Sequence, residues 1–147
     1  MVASITDIDT VPLHTVLILS DQPKTAAIWE PLFNQRNCIV LCEANVANAL
    51  QGARLVGPSL MLVDIQLSKT ERAALIRELR EASRGPIILL VSANTAQEVF
   101  EANLAGADEC LVKPVNPAVL VVKAMAWLGH GEKNERFPAM VDLQVAA

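Results

Sequence analysis

Ser20, Asp21, Asp64, Ser92 and Lys113 together have the chemistry of a phosphoryl-transfer site. Two carboxylates, two hydroxyls and an ammonium can hold a divalent cation and a phosphoryl group side by side. Mg2+ takes oxygen ligands, keeps several waters and is usually bound through one or two carboxylates. A carboxylate such as Asp64 can also attack phosphorus and become an aspartyl phosphate. The ammonium and the cation would then stabilise charge on the equatorial oxygens. These residues are far apart in sequence, so the chemistry exists only if folding gathers them.

The elements that must gather them are legible as apolar runs. Residues 60–64 (LMLVD) are fully apolar until they stop on a carboxylate, the pattern of a strand buried on both faces of a parallel sheet. Alone, Asp64 reads equally well as the cap of whatever follows. Other runs end the same way: 15–20 (TVLILS) on Ser20 and Asp21, 87–91 (IILLV) before Ser92, and 110–112 before Lys113. A short strand over 38–42 completes a set of five. Between them lie helical stretches. Pro23 opens one to about residue 36, with Ile28, Leu32, Trp29 and Phe33 at helical spacing and Pro31 as an interior kink. Asn45 caps a second over 46–55, closed by Gly57-Pro58. A third covers 70–82, with Leu75, Ile76 and Leu79 on one face. Thr95 caps a fourth to about 104, ended by Gly106. Pro117 opens a fifth to 128, which Gly129 closes. Strict alternation implies a parallel sheet covered by helices on both faces, with the strands' carboxyl ends on one edge.

Composition bounds the rest. At 147 residues the chain fits one domain with a real core. It reads as an extension, 1–13, a folded unit, 14–129, and a tail, 130–147. Hydrophobic residues make up 52% but aromatics only 3%, which suits an α/β sandwich better than an aromatic binding surface. The net charge of −4 argues against binding nucleic acid or a membrane surface. No apolar run approaches the roughly 18 residues needed to span a bilayer. The acidic start, with Asp7 and Asp9, is unlike a signal peptide. Cys38, Cys42 and Cys110 read as buried thiols of a reducing, cytoplasmic compartment. A metal site there would need further ligands, and His14 and His130 lie near opposite ends.

From about 15 to 128 the chain resembles the receiver domain of two-component response regulators, the CheY-like domain. The resemblance rests on Leu19-Ser20-Asp21-Gln22-Pro23, Leu62-Val63-Asp64, Val91-Ser92-Ala93, Gly106-Ala107-Asp108 and Leu111-Val112-Lys113-Pro114. No one piece is specific; five in this order and spacing are. The resemblance implies a flavodoxin-like, doubly wound (βα)5 fold, a five-stranded parallel sheet in three α/β/α layers. It implies that Asp64 is the phosphoacceptor and Lys113 the phosphate contact, with Ser92 the hydroxyl that moves onto the phosphate. Asp21, Asp64 and the Gln66 backbone carbonyl would hold Mg2+, or Mn2+ in its place, with Ser20 contributing through a water. The partner implied is a histidine kinase or phosphotransfer protein, in bacterial phosphorelay signalling. The protein would not be an enzyme beyond catalysing its own phosphorylation and dephosphorylation.

Several positions depart from that pattern. The family has two acids where Ser20-Asp21 stands, so the cation site loses a charge. Ser68 replaces a usual Pro and Arg72 a usual Gly, which puts the loop after the acceptor in question. Cys110 replaces the aromatic that reports on the hydroxyl. Gln66 and Asn94, two after Asp64 and Ser92, are amides able to orient a hydrolytic water. Ser20, Ser68, Arg72 and Cys110 favour the alternative of a pseudo-receiver, a phosphorylation-independent docking or dimerisation module, while Asp21, Asp64, Ser92 and Lys113 together favour the receiver. An Asp-nucleophile phosphatase would need an acid at Gln66, and a flavodoxin-like cofactor binder a phosphate loop after the first strand. Finally, Val119, Val122 and Met125 or Ala126 add a second apolar stripe to the last helix. That stripe favours a homodimer through the fourth helix, fifth strand and fifth helix.

Overall fold

The structure, a computed structural model, describes residues 13–92 and 95–136, with side chains of the last helix described as far as Gly129. Asn94 and the ends of the chain lie outside the described residues. The elements are β1 (His14–Ser20), α1 (Pro23–Asn34), β2 (Cys38–Glu43), α2 (Val46–Val56), β3 (Leu60–Asp64), α3 (Lys69–Ala82), β4 (Ile87–Val91), α4 (Ala96–Ala105), β5 (Glu109–Val112) and α5 (Pro117–Arg136). All strand pairs are parallel, in the order β2-β1-β3-β4-β5.

The period of two along each strand builds two cores. Leu17, Leu19, Met61, Val63, Ile87 and Leu89 face α2, α3 and α4, where they meet Ala53, Leu75, Ile76, Leu79 and Ala102. Val16, Ile18, Leu60, Leu62, Ile88 and Leu90 face α1 and α5, where they meet Trp29, Phe33, Leu120, Val121 and Leu128. Burying each such side chain contributes about 1.5–3 kcal/mol, so the three central strands, apolar on both faces, dominate the fold's stability.

Local chemistry sets the element ends. Asn45, Ser68 and Thr95 accept from the third backbone amide beyond them at the starts of α2, α3 and α4. At Ser68 the cap is reciprocal, because Glu71 also accepts from the Ser68 amide at 3.2 Å. Gly57 ends α2 at φ 60°, a left-handed conformation that glycine adopts without penalty. Gly85 stands where the chain passes close by: an added Cβ would lie 2.5 Å from the Pro58 carbonyl. Arg80, near the end of α3, donates to the carbonyls of Gly85 and Gly106 and to Asp108, and Asp108 accepts from the Ile87 amide.

Three expectations need correction. The last helix does not end at 128: it continues through Gly129 to Arg136. The extension carries two glycines, Gly129 and Gly131, each costing only about 1 kcal/mol inside a helix, and the polar residues after them are compatible with helix. Cys42 is exposed although it shares the parity of buried Cys38, because β2 is an edge strand. Cys110 is only partly buried. Outside these corrections, α1 carries Pro31 in its interior as expected, with Trp29 and Phe33 buried and Ile28 53% exposed.

Candidate functional site at the carboxyl edge of the sheet

The alternation that builds the core facing α1 and α5 continues past the strand ends and selects the site. Val16-Ile18 leads to Ser20, Leu60-Leu62 to Asp64, Ile88-Leu90 to Ser92, and Leu111 to Lys113. Ser20 and Asp64 are register partners across the β1–β3 ladder. Val91 pairs with Val112 at the end of the β4–β5 ladder, and the Lys113 amide extends it by donating to the Val91 carbonyl at 2.8 Å. Residues remote in sequence thus meet at the edge where α/β sheets bind ligands, next to the strand where the order reverses.

Asp64 is 2% exposed, and among the described residues Ser20 is the only other buried polar one. Lys113 Nζ donates to Asp64 Oδ1 at 2.7 Å. Ser20 Oγ stands 3.4 Å from Asp64 Oδ2 and 3.4 Å from the Gln22 carbonyl, while accepting from the Gln22 amide at 3.1 Å. One hydroxyl proton serves two distant acceptors, so Ser20 holds Asp64 only weakly. A buried carboxylate needs compensation, and here the Lys113 ammonium supplies most of it. The Lys113-Pro114 peptide is cis.

Asp64 forms the floor between two hollows. One, of about 220 Å³, is lined by Asp21, Asp64, Gln66, Arg72, Ser92 and Lys113 among others. The second, of about 510 Å³, shares Asp64, Ser92 and Lys113 and adds Trp29, Pro114 and Pro117. Every site residue picked from sequence, apart from Ser20 just beneath, lines the first hollow. Ser92 and Asp21 are exposed there, free to meet a ligand. Among the described residues no three His, Cys, Asp or Glu side chains cluster as a metal site. The hard oxygen donors available are the Asp21 and Asp64 carboxylates and the neighbouring backbone at Gln66.

Two features escaped sequence reasoning. Ser68 and Arg72 stood out only as departures. In the structure Ser68 caps α3, which fixes the loop after Asp64 in place of a proline, and Arg72 lines the pocket. Cys42 Sγ donates to Glu30 Oε1 at 3.6 Å; although the residue is exposed, partial desolvation of its sulfur and then the Glu30 charge push the thiol up to about 11. Only the register of β2 against α1 reveals that contact.

Residues 16–125 match the family model described as the response regulator receiver domain. The transcriptional regulatory protein AruR of Pseudomonas aeruginosa is 32% identical over 114 residues, 74% of this chain and 47% of that protein. The nisin biosynthesis regulatory protein NisR of Lactococcus lactis is 24% identical over 84% of this chain and 54% of its own length. The chain therefore spans about half the length of the curated relatives it matches. A receiver domain protein (CheY-like) from Methanospirillum hungatei superposes with a TM-score of 0.76 at 23% identity, covering 84% of this chain and 99% of that one. The Vibrio cholerae chemotaxis protein CheY4 gives 0.70 at 19%, over 78% and 98%. At these identities the structures speak for the fold: five parallel strands and five helices, the flavodoxin-like arrangement.

Proposed function

Because the chain belongs to the response-regulator receiver family, we propose that Asp64 is its phosphoacceptor, with Lys113 and Ser92 as the phosphate contacts. The observation that carries this reading is the nearly buried Asp64 carboxylate with Lys113 Nζ at 2.7 Å on the sheet's carboxyl edge. A carboxylate oxygen of Asp64 attacks phosphorus as the bond from phosphorus to the donor's nitrogen or oxygen breaks, and the leaving group takes that electron pair. Lys113 is positioned to follow the new phosphoryl oxygens while Ser92, exposed beside them, donates its hydroxyl.

Asp21, Asp64 and the Gln66 carbonyl suit a hard divalent cation, Mg2+ or Mn2+, with Ser20 reaching it through a water. Bound, that cation would neutralise charge on the phosphoryl oxygens. The donor is a histidine kinase or phosphotransfer protein, and the setting is the cytoplasm; no helix among the described residues is long and apolar enough to cross a membrane. The functional unit is 14–129, between an extension, 1–13, and a tail, 130–147, whose first residues continue α5. A phosphorylation-independent module is less favoured, because a docking surface needs none of Asp21, Asp64, Ser92 and Lys113. Exposed Phe100, Leu104, Val112, Val119 and Val122 on α4, β5 and α5 support a homodimer through that face.

Intact-protein mass after incubation with an acyl phosphate and Mg2+ tests the proposal. One phosphoryl gained by the wild type and none by Asp64→Ala is the expected result. No gain at any Mg2+ concentration would leave the docking module as the better account.

A further inference from the structure

Arg72 belongs to the first turn of α3, and the reciprocal Ser68–Glu71 cap anchors that turn. Its side chain lines the same hollow as Asp21, Asp64, Ser92 and Lys113. Among the described residues no carboxylate is paired with it, whereas Arg80, Lys113 and Lys123 each have one. Arg72 also lines a small hollow with Glu101 of α4, and its charge opposes the rise that burial and Glu98 impose on the Cys110 thiol.

The charges lining the hollow are then two carboxylates, Asp21 and Asp64, against two cations, Lys113 and Arg72. Ser20 contributes no carboxylate. A serine for an acid and an arginine for a glycine both move the pocket the same way, from attracting a divalent cation towards attracting an oxyanion. A guanidinium also offers a planar fork of donors that matches phosphate oxygens.

We propose that Arg72 is a second cationic contact to the phosphoryl group, taking over part of the charge neutralisation that a divalent cation would otherwise provide. This rests on Asp64 as phosphoacceptor, but the anion site can be tested apart from phosphorylation. On the Asp64→Ala background, inorganic phosphate is titrated in EDTA and followed by the amide resonances of Ser92 and Lys113. Adding Arg72→Ala weakens that binding by about tenfold, and Arg72→Lys, which keeps the charge but loses the fork, falls between. In the Asp64 protein, phosphoryl gain from an acyl phosphate in EDTA slows by a similar factor in Arg72→Ala. At saturating Mg2+ it slows much less. Equal phosphate affinity with and without Arg72, in folded proteins, overturns the proposal while leaving Asp64 untouched. No phosphoryl gain by the wild type at any Mg2+ concentration overturns the receiver reading instead, and the phosphate titration still decides Arg72.

Discussion

Lys113 Nζ lies 2.7 Å from Asp64 Oδ1 although their strands, β5 and β3, are separated by β4. The lysine reaches over the end of β4, where Ser92 stands, and so closes a triangle around the space a phosphoryl group would fill. Removing it leaves a carboxylate that is almost wholly buried with only a weak hydroxyl contact. Lys113→Ala is expected to lower stability in urea by about 1–3 kcal/mol, less than the ~3–5 of a fully buried pair because the lysine is partly exposed. It should also slow phosphoryl gain, and Lys113→Arg should recover stability better than rate.

Ser20→Asp restores the acid that the family pattern leads one to expect. It puts a third carboxylate beside Asp64, where Ser20 Oγ now stands 3.4 Å from Asp64 Oδ2, without adding a cation. Without Mg2+ the variant should unfold at lower urea concentration than the wild type, because like charges that close cannot be separated by solvent. With Mg2+ the order should reverse. Mg2+ affinity, read from Trp29 fluorescence, should rise by about tenfold, or 1.4 kcal/mol. Trp29 is a suitable reporter because it is buried and lines the hollow next to Asp64.

Asp108 is part of the motif that carried the family resemblance, yet its role in the structure is to hold the fold. It accepts from Arg80 at 2.6 Å and from the Ile87 amide at 2.8 Å, tying α3 to the start of β4 and to β5. Asp108→Ala should cost about 1.5–3 kcal/mol, the usual range for hydrogen bonds to a charged group. The extent of phosphorylation in folded protein should not change. A matched loss in Arg80→Ala, with less than additive loss in the double variant, would identify one shared network.

Cys42 is exposed but should react slowly. The thiolate is the nucleophile, and a thiol pushed up to about 11 is almost entirely protonated at pH 7.5. Alkylation should accelerate with rising pH well beyond the range of an ordinary cysteine. Glu30→Gln removes the charge that opposes ionisation, so the rate at pH 7.5 should increase several-fold. Equal rates in both proteins would show that the Glu30 contact does not govern the thiol.

Sequence reading went furthest where burial left no choice. The bounds of β3 and β4 follow from runs apolar on both faces, delimited by Gly-Pro on one side and a polar residue on the other. The candidate positions Asp64 and Ser92 were legible for the same reason, since each ends or follows such a run, whereas Lys113 follows the half-buried β5 and stood out only through its Pro114 neighbour and the family pattern. The end of α5 was not: Gly129 reads as a terminator, but whether a helix stops there depends on what its next turns meet. Cys42 was misjudged because only the strand order reveals that β2 lies at the edge. Arg72 could be recognised as unusual, yet its place in the pocket depends on how Ser68 and Glu71 set the first turn of α3.

In the proposed reaction the carboxylate of Asp64 itself takes the phosphoryl group. An aspartyl phosphate is reduced by borohydride to homoserine, which marks the modified residue permanently. After incubation with an acyl phosphate and Mg2+, followed by borohydride, peptide mass spectrometry should find homoserine at position 64. Homoserine at 21 instead, or an unmodified position 64 in protein that has gained mass, would contradict it.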